Sequence, residues 1–236
     1  MNELVTVFGL CYNEEFMLPH FIAHYRKMFP ECRIVLWDNE SSDRSQEIAL
    51  ENNCEVVSYN TGGKLNDEIY LDLKNFGWKQ ASTPWVIVAD IDEHLYLTQH
   101  DLEHCDEMGF TIIRSQGFNM VNLGDELDFN AITHGVRSES YDKSYCFKRT
   151  EIEQINYGPG CHHASPVGNI NPSIETYPCL HYKYVQIDYM IARHAHYASR
   201  LSDANKRRGY GFHYKYPAEK IRKEFNEARK NAIKLL

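Results

Sequence analysis

The apolar run Pro84-Trp85-Val86-Ile87-Val88-Ala89 stops abruptly at Asp90-Ile91-Asp92. A short, wholly apolar segment rich in β-branched residues is buried on both faces, the condition of a strand inside a parallel sheet. Three earlier segments also read as strands: Leu4 to Leu10, Arg33 to Trp37 and Cys54 to Tyr59. Helical spacing separates them. Leu18, Phe21, Ile22, Tyr25 and Met28 recur on one face, Ile48, Ala49 and Leu50 fall in a second helix, and a third runs from about Asp67 to Gln80. This β-α-β-α-β-α-β order predicts an α/β fold with a mostly parallel central sheet, right-handed crossovers and flanking helices. Ligands of such sheets lie across the carboxyl ends of the strands. Asp90 and Asp92 stand at such an end, and carboxylate oxygens are hard ligands suited to Mg²⁺ or Mn²⁺, which bridge phosphates.

Beyond Glu93 the pattern loosens. Short strands are expected at Thr111 to Ser115, Tyr145 to Lys148 and Cys179 to Lys183. Asn122 to Ser140 reads as loop, and two helices close the chain, from Gln186 to Leu201 and from Pro217 to Leu236. The organisation expected is one catalytic domain over residues 1–208, with a nucleotide half (1–95) and an acceptor half (96–185). A C-terminal helical appendage follows over 209–236.

Formal net charge of −8 disfavours a nucleic-acid partner. The seven cysteines are odd in number and form no CxxC pair, which fits a reduced compartment. Met1 to Leu4 leads into the first strand without a basic leader, and no apolar stretch reaches membrane-spanning length. A soluble, cytoplasmic protein without a transmembrane segment is expected. Gly62-Gly63-Lys64 lacks the context of a phosphate loop, and no HExxH, Gly-x-Ser-x-Gly or GxGxxG occurs. The obvious zinc hydrolase, serine hydrolase and dinucleotide-dependent readings are thereby removed.

Three segments together resemble the GT-A glycosyltransferases, specifically the family-2-like group, over roughly Val5 to Arg208. They are Gly9-Leu10-Cys11-Tyr12-Asn13-Glu14-Glu15, Trp37-Asp38-Asn39-Glu40-Ser41-Ser42-Asp43 and Asp90-Ile91-Asp92-Glu93. Lys74-Asn75 also sits where that family places a basic residue and Asn before the Asp-x-Asp-Glu strand. The resemblance implies sugar transfer from a nucleotide-diphosphate donor, most simply UDP-linked, to a glycan, lipid-linked or protein acceptor, with inversion by a single displacement. It places Asp38 on the base, with Leu10, Cys11, Tyr12 and Asn13 bordering it and Lys74 and Ile91 beside the donor. Asp90 would face the ribose or the metal, and Asp92 would ligate the Mn²⁺ or Mg²⁺. A late histidine would join the metal or the diphosphate, His181 first and His163 next. Inversion needs one general base, for which Asp128 and Glu93 are the candidates. Two other readings stand beside this one: a non-catalytic nucleotide-sugar or carbohydrate-binding relic of the fold, and a sugar-phosphate nucleotidyltransferase. The acidic Asn13-Glu14-Glu15 turn disfavours the latter, which would need a glycine-rich phosphate loop there.

Overall fold

A computed structural model describes residues 3–236; Met1 and Asn2, part of the expected lead-in to the first strand, lie outside them. The chain order is β1 (Val5–Cys11), α1 (Leu18–Met28), β2 (Arg33–Asp38), α2 (Ser45–Glu51), β3 (Glu55–Ser58), α3 (Asp67–Phe76), β4 (Trp85–Asp90) and β5 (Glu93–Leu95). It continues through α4 (Gln99–Glu107), β6 (Ile112–Val121), β7 (His134–Arg137), β8 (Cys146–Lys148), β9 (Ile152–Gln154), β10 (Val167–Gly168) and β11 (Pro172–Tyr184). The helices α5 (Ile187–Arg200), α6 (Asp203–Arg208) and α7 (Ala218–Asn231) follow, and β12 (Ile233–Lys234) is the last strand.

The structure is a mixed α/β fold with a mostly parallel central sheet flanked by helices. The main sheet has ten strands in the order β12-β7-β6-β8-β4-β1-β2-β3, with β11 pairing β6 and β5. β1, β2, β3 and β4 are mutually parallel, whereas β5, β7 and β8 run against their neighbours. β1, β2 and β4 form buried strands as expected, with Trp85 through Ala89 all buried, whereas β3 at the end of the sheet is largely exposed. On α1 the predicted face is the buried one, with Leu18, Phe21, Ile22, Tyr25 and Met28 turned inward. Pro19 in its first turn costs no intrahelical hydrogen bond. Local chemistry fixes other helix starts. Asn66 accepts from Glu68 N at the head of α3, and Thr98 and Asp101 form a reciprocal capping box on α4.

Register positions the site. Leu10 lies opposite Asp90 and Cys11 opposite Asp38, so the carboxyl ends of β1, β2 and β4 stop at one edge. β11 then runs antiparallel past β5 with His181 opposite Glu93, and Tyr182 N donates to Asp92 O at 2.8 Å.

The second half departs from expectation. Residues 122–140, expected as loop, contain β7, which pairs with β6. The terminal helix ends at Asn231, and β12 then pairs with β7 through Ile233 opposite Gly135. Ile221, Phe225 and Ala228 of α7 pack with Val121, Tyr184 and Met190. The C-terminal segment is therefore built into the sheet and core, because its apolar residues cover the outer part of β6 and β11.

A half-buried histidine of α1 carries a pH prediction. His24 stacks on His94 with ring centroids 4.8 Å apart, and its Nε2 donates to Leu95 O at 2.8 Å. Burial holds its pKa down to about 4. The unfolded chain therefore takes up the proton first. The stability contributed is complete above the unfolded value and drains away as pH falls from about 6.5 through 4, on the order of 3 kcal/mol in all. Urea midpoints measured at pH 7.5, 5.5 and 4.5 should fall steadily, and less steeply in His24→Gln. An unchanged slope in that variant would rule out His24 as the titrating group.

Candidate functional site

The strand ends open onto a cavity of about 450 Å³. Its walls come from the ends of β1 and β4, from α3, from the 141–143 and 159–162 turns, from β11 and from α5. Asp90 and Asp92 both line it.

Each carboxylate is held by a cation. Lys74 Nζ of α3 donates to Asp90 Oδ1 at 2.6 Å, with the lysine itself buried. Asp92 Oδ2 accepts from Arg193 Nη2 of α5 at 3.1 Å and lies 3.5 Å from His181 Nε2. Burial favours the neutral acid at both positions. Lys74 and then Lys143 nonetheless hold Asp90 below the usual carboxylate range, as Arg193 and His181 hold Asp92. Arg193 also clasps Glu14 through two bonds of 3.1 and 3.2 Å, and Tyr189 and Tyr197 complete the cluster at 2.6 and 3.1 Å. Burial pushes Glu14 up to about 7, against the pull of Arg193. Beneath them Lys143 Nζ donates to Glu93 Oε1, and both side chains are almost wholly buried. His181 is fixed from its other side: Nδ1 lies 2.6 Å from Asn119 Oδ1, and the Tyr141 ring stacks on it at 4.0 Å.

Asp90 Oδ2 and Asp92 Oδ1 have no hydrogen bond among the described residues. Among those residues no group of three or more His, Cys, Asp or Glu side chains is arranged to hold a metal ion. Two free carboxylate oxygens beside one imidazole suit a hard divalent cation that draws its remaining ligands from a bound diphosphate. They do not suit a resident structural ion.

The structure brings together Leu10, Cys11, Tyr12, Lys74, Asp90, Ile91, Asp92, Glu93 and His181 around one cavity. It leaves others out. Asp38 is 1% exposed and absent from the lining; it accepts from Ser41 N and Oγ at 2.9 and 2.5 Å and from Gln46 Nε2 at 2.6 Å. Its carboxylate holds the loop after β2. Asn13, in the left-handed region at φ 54°, likewise holds that loop by accepting from Ser42 N. His163 is exposed and off the lining, and its neighbour His162 takes the inward place. Asp128 caps a 3₁₀ turn by accepting from Asn130 N at 2.9 Å and lies away from the cavity. Glu93 is there, paired with Lys143.

Sequence reasoning missed Lys143, Arg193, Tyr197 and Arg200. The last three were legible in one respect: with Tyr189 they recur at intervals of four, four and three residues, which is one helical face.

No family model matches the sequence, and no curated protein matches it. Among solved structures, S. aureus TarS 1–349 in complex with UDP-GlcNAc is 16% identical, with a TM-score of 0.48, over 86% of this chain and 69% of that one. The mannosyltransferase PcManGT from Pyrobaculum calidifontis, in complex with GDP-Man and Mn²⁺, is 13% identical over 83% and 62%, with a TM-score of 0.44. Glucosyl-3-phosphoglycerate synthase from Mycobacterium tuberculosis, in complex with Mn²⁺, UDP and glucosyl-3-phosphoglycerate, is 15% identical over 68% and 63%, with a TM-score of 0.41. No helix among the described residues is long and apolar enough to cross a membrane.

Proposed function

We propose that the chain is a metal-dependent, inverting glycosyltransferase of the GT-A type. It moves a sugar from a nucleotide-diphosphate donor, UDP-linked, to a hydroxyl of a glycan, lipid-linked or protein acceptor. The observation that carries this reading is the juxtaposition of Asp90 and Asp92 with three cations, the buried Lys74 and Lys143 and the half-buried Arg193, along one strand-end cavity. Such a cavity matches a ligand that is both metal-seeking and anionic, which a nucleotide diphosphate is. Mn²⁺ or Mg²⁺ held by Asp90 and Asp92 would neutralise charge growing on the departing diphosphate. Lys74 and Arg193 are placed to share that task, since each already meets a carboxylate whose charge a bound cation would offset. His181, fixed by Asn119 and Tyr141, presents Nε2 to the same point.

The test is a thermal-shift series with UDP, GDP, dTDP and CMP and their sugars, each with and without Mn²⁺. A ligand that binds only the folded chain adds about 2.7 kcal/mol at a hundredfold excess over its Kd. One nucleotide should raise the transition, and only in the presence of Mn²⁺. No response to any of them would overturn the reading.

A further inference from the structure

Resting on that reading, the fold leaves open which residue recognises the base, since Asp38 is committed to its own loop. We propose that Arg200, in the last turn of α5, is the base-selecting residue, and that it favours a ring with an exocyclic carbonyl oxygen over one with an exocyclic amino group.

The cavity continues from Asp90 toward β3. Tyr59 follows β3, three strand positions from β4 and about 14 Å away at ordinary strand spacing. That end is walled by Tyr12, Tyr59, Leu65 and Tyr70, which suit a flat ring better than a phosphate. Arg200 lines the same end and is 7% exposed. Its guanidinium lies flat on Tyr12, with the central carbon 3.5 Å from the ring centroid. Nε donates to Gly63 O at 2.7 Å, and Nη1 lies 3.4 Å from His196 Nε2. The neighbouring backbone is pinned as well, since Leu65 N donates to Arg200 O at 2.8 Å and Ser202 N to Leu65 O at 3.0 Å. Only Nη2 has no partner among the described residues.

A charged donor left unpaired in a buried place is costly, so this atom calls for an acceptor. Its direction is set in advance by stacking and by the Nε bond, which suits recognition in the plane of a base. Uracil O4 and guanine O6 accept such a bond. Cytosine and adenine place an amino donor there, which the guanidinium repels.

The experiment measures binding of UDP, CDP and inorganic pyrophosphate, each with Mn²⁺, to the wild-type chain and to Arg200→Lys and Arg200→Met. GDP against ADP makes the same comparison for purines. The wild type should bind UDP about tenfold or more tightly than CDP, the size of a charge-assisted bond gained against one refused. Both variants should lose that preference while keeping their affinity for pyrophosphate. The wild-type comparison stands even if a variant fails to fold. Equal binding of UDP and CDP by the wild type, or an undiminished preference in the variants, would overturn the assignment. Silence from every nucleotide and from pyrophosphate alike would overturn the donor-site reading and this inference with it.

Discussion

Asp92→Ala should lower kcat/KM for the donor by about a thousandfold or more while leaving the chain folded. The kinetic loss follows from where the carboxylate stands. Asp92 is in the turn between β4 and β5, against Arg193 and His181, and its Oδ1 is free for a cation. Losing one such group from a site that stabilises a charged leaving group costs about 4 kcal/mol of transition-state stabilisation, which is the thousandfold. Stability is expected to change little, because Arg193 is not orphaned. It keeps both bonds to Glu14 and the one to Tyr189. Nucleotide release from the responding donor sugar reads the kinetic effect, and the urea midpoint reads the stability. Mn²⁺-dependent binding of the nucleotide should vanish in the same variant. Near-normal turnover in Asp92→Ala would remove the metal-facing role from this residue.

The part of the site that depends on Asp90 and Asp92 was visible in the sequence for a physical reason. A strand buried on both faces must be apolar throughout, so Trp85 to Ala89 announces itself, and the first charged residues after it mark the sheet edge. β1 and β2 were legible on the same ground. β5 was not, because Glu93 and His94 are polar by type and are buried only through partners distant in the chain, Lys143 and the Tyr25, His24 and Tyr182 cluster. β12 at the sheet edge and β7 beside it are short strands without a continuous apolar face, so no period separates them from loop. On α5 the helix was legible and its meaning was not. Tyr189, Arg193, Tyr197 and Arg200 form a polar, aromatic stripe that resembles a solvated face, yet it turns toward the strand ends and supplies the cavity wall. Asp38 shows the converse. Its position at the end of β2 is where the resemblance places a base contact, yet its carboxylate accepts three hydrogen bonds from Ser41 and Gln46, and sequence order does not show a side chain's partners.

Lys143 is the residue least legible in advance and the one whose loss should cost most stability. It lies in a turn between Asp142 and Ser144, in no recognisable motif. Its side chain is 2% exposed and meets Glu93, itself 3% exposed, while Asp90 N lies 3.4 Å from the second oxygen of Glu93. Glu93, Asp90 and Asp92 thus place three carboxylates over four residues. Lys143→Met removes the one cation paired with Glu93 and leaves a buried carboxylate without a counter-charge. Breaking a buried pair in this way costs about 3–5 kcal/mol, far more than the pair's net worth against two apolar groups. The double variant Glu93→Gln/Lys143→Met should therefore recover much of that loss, since the uncompensated charge is gone and the remaining cost is packing. Urea denaturation of the two single variants and the double gives the coupling directly. A Lys143→Met loss below about 1 kcal/mol, or a double variant less stable than Lys143→Met, would show that the Lys143–Glu93 pair does not hold the fold and that Lys143 serves the cavity alone.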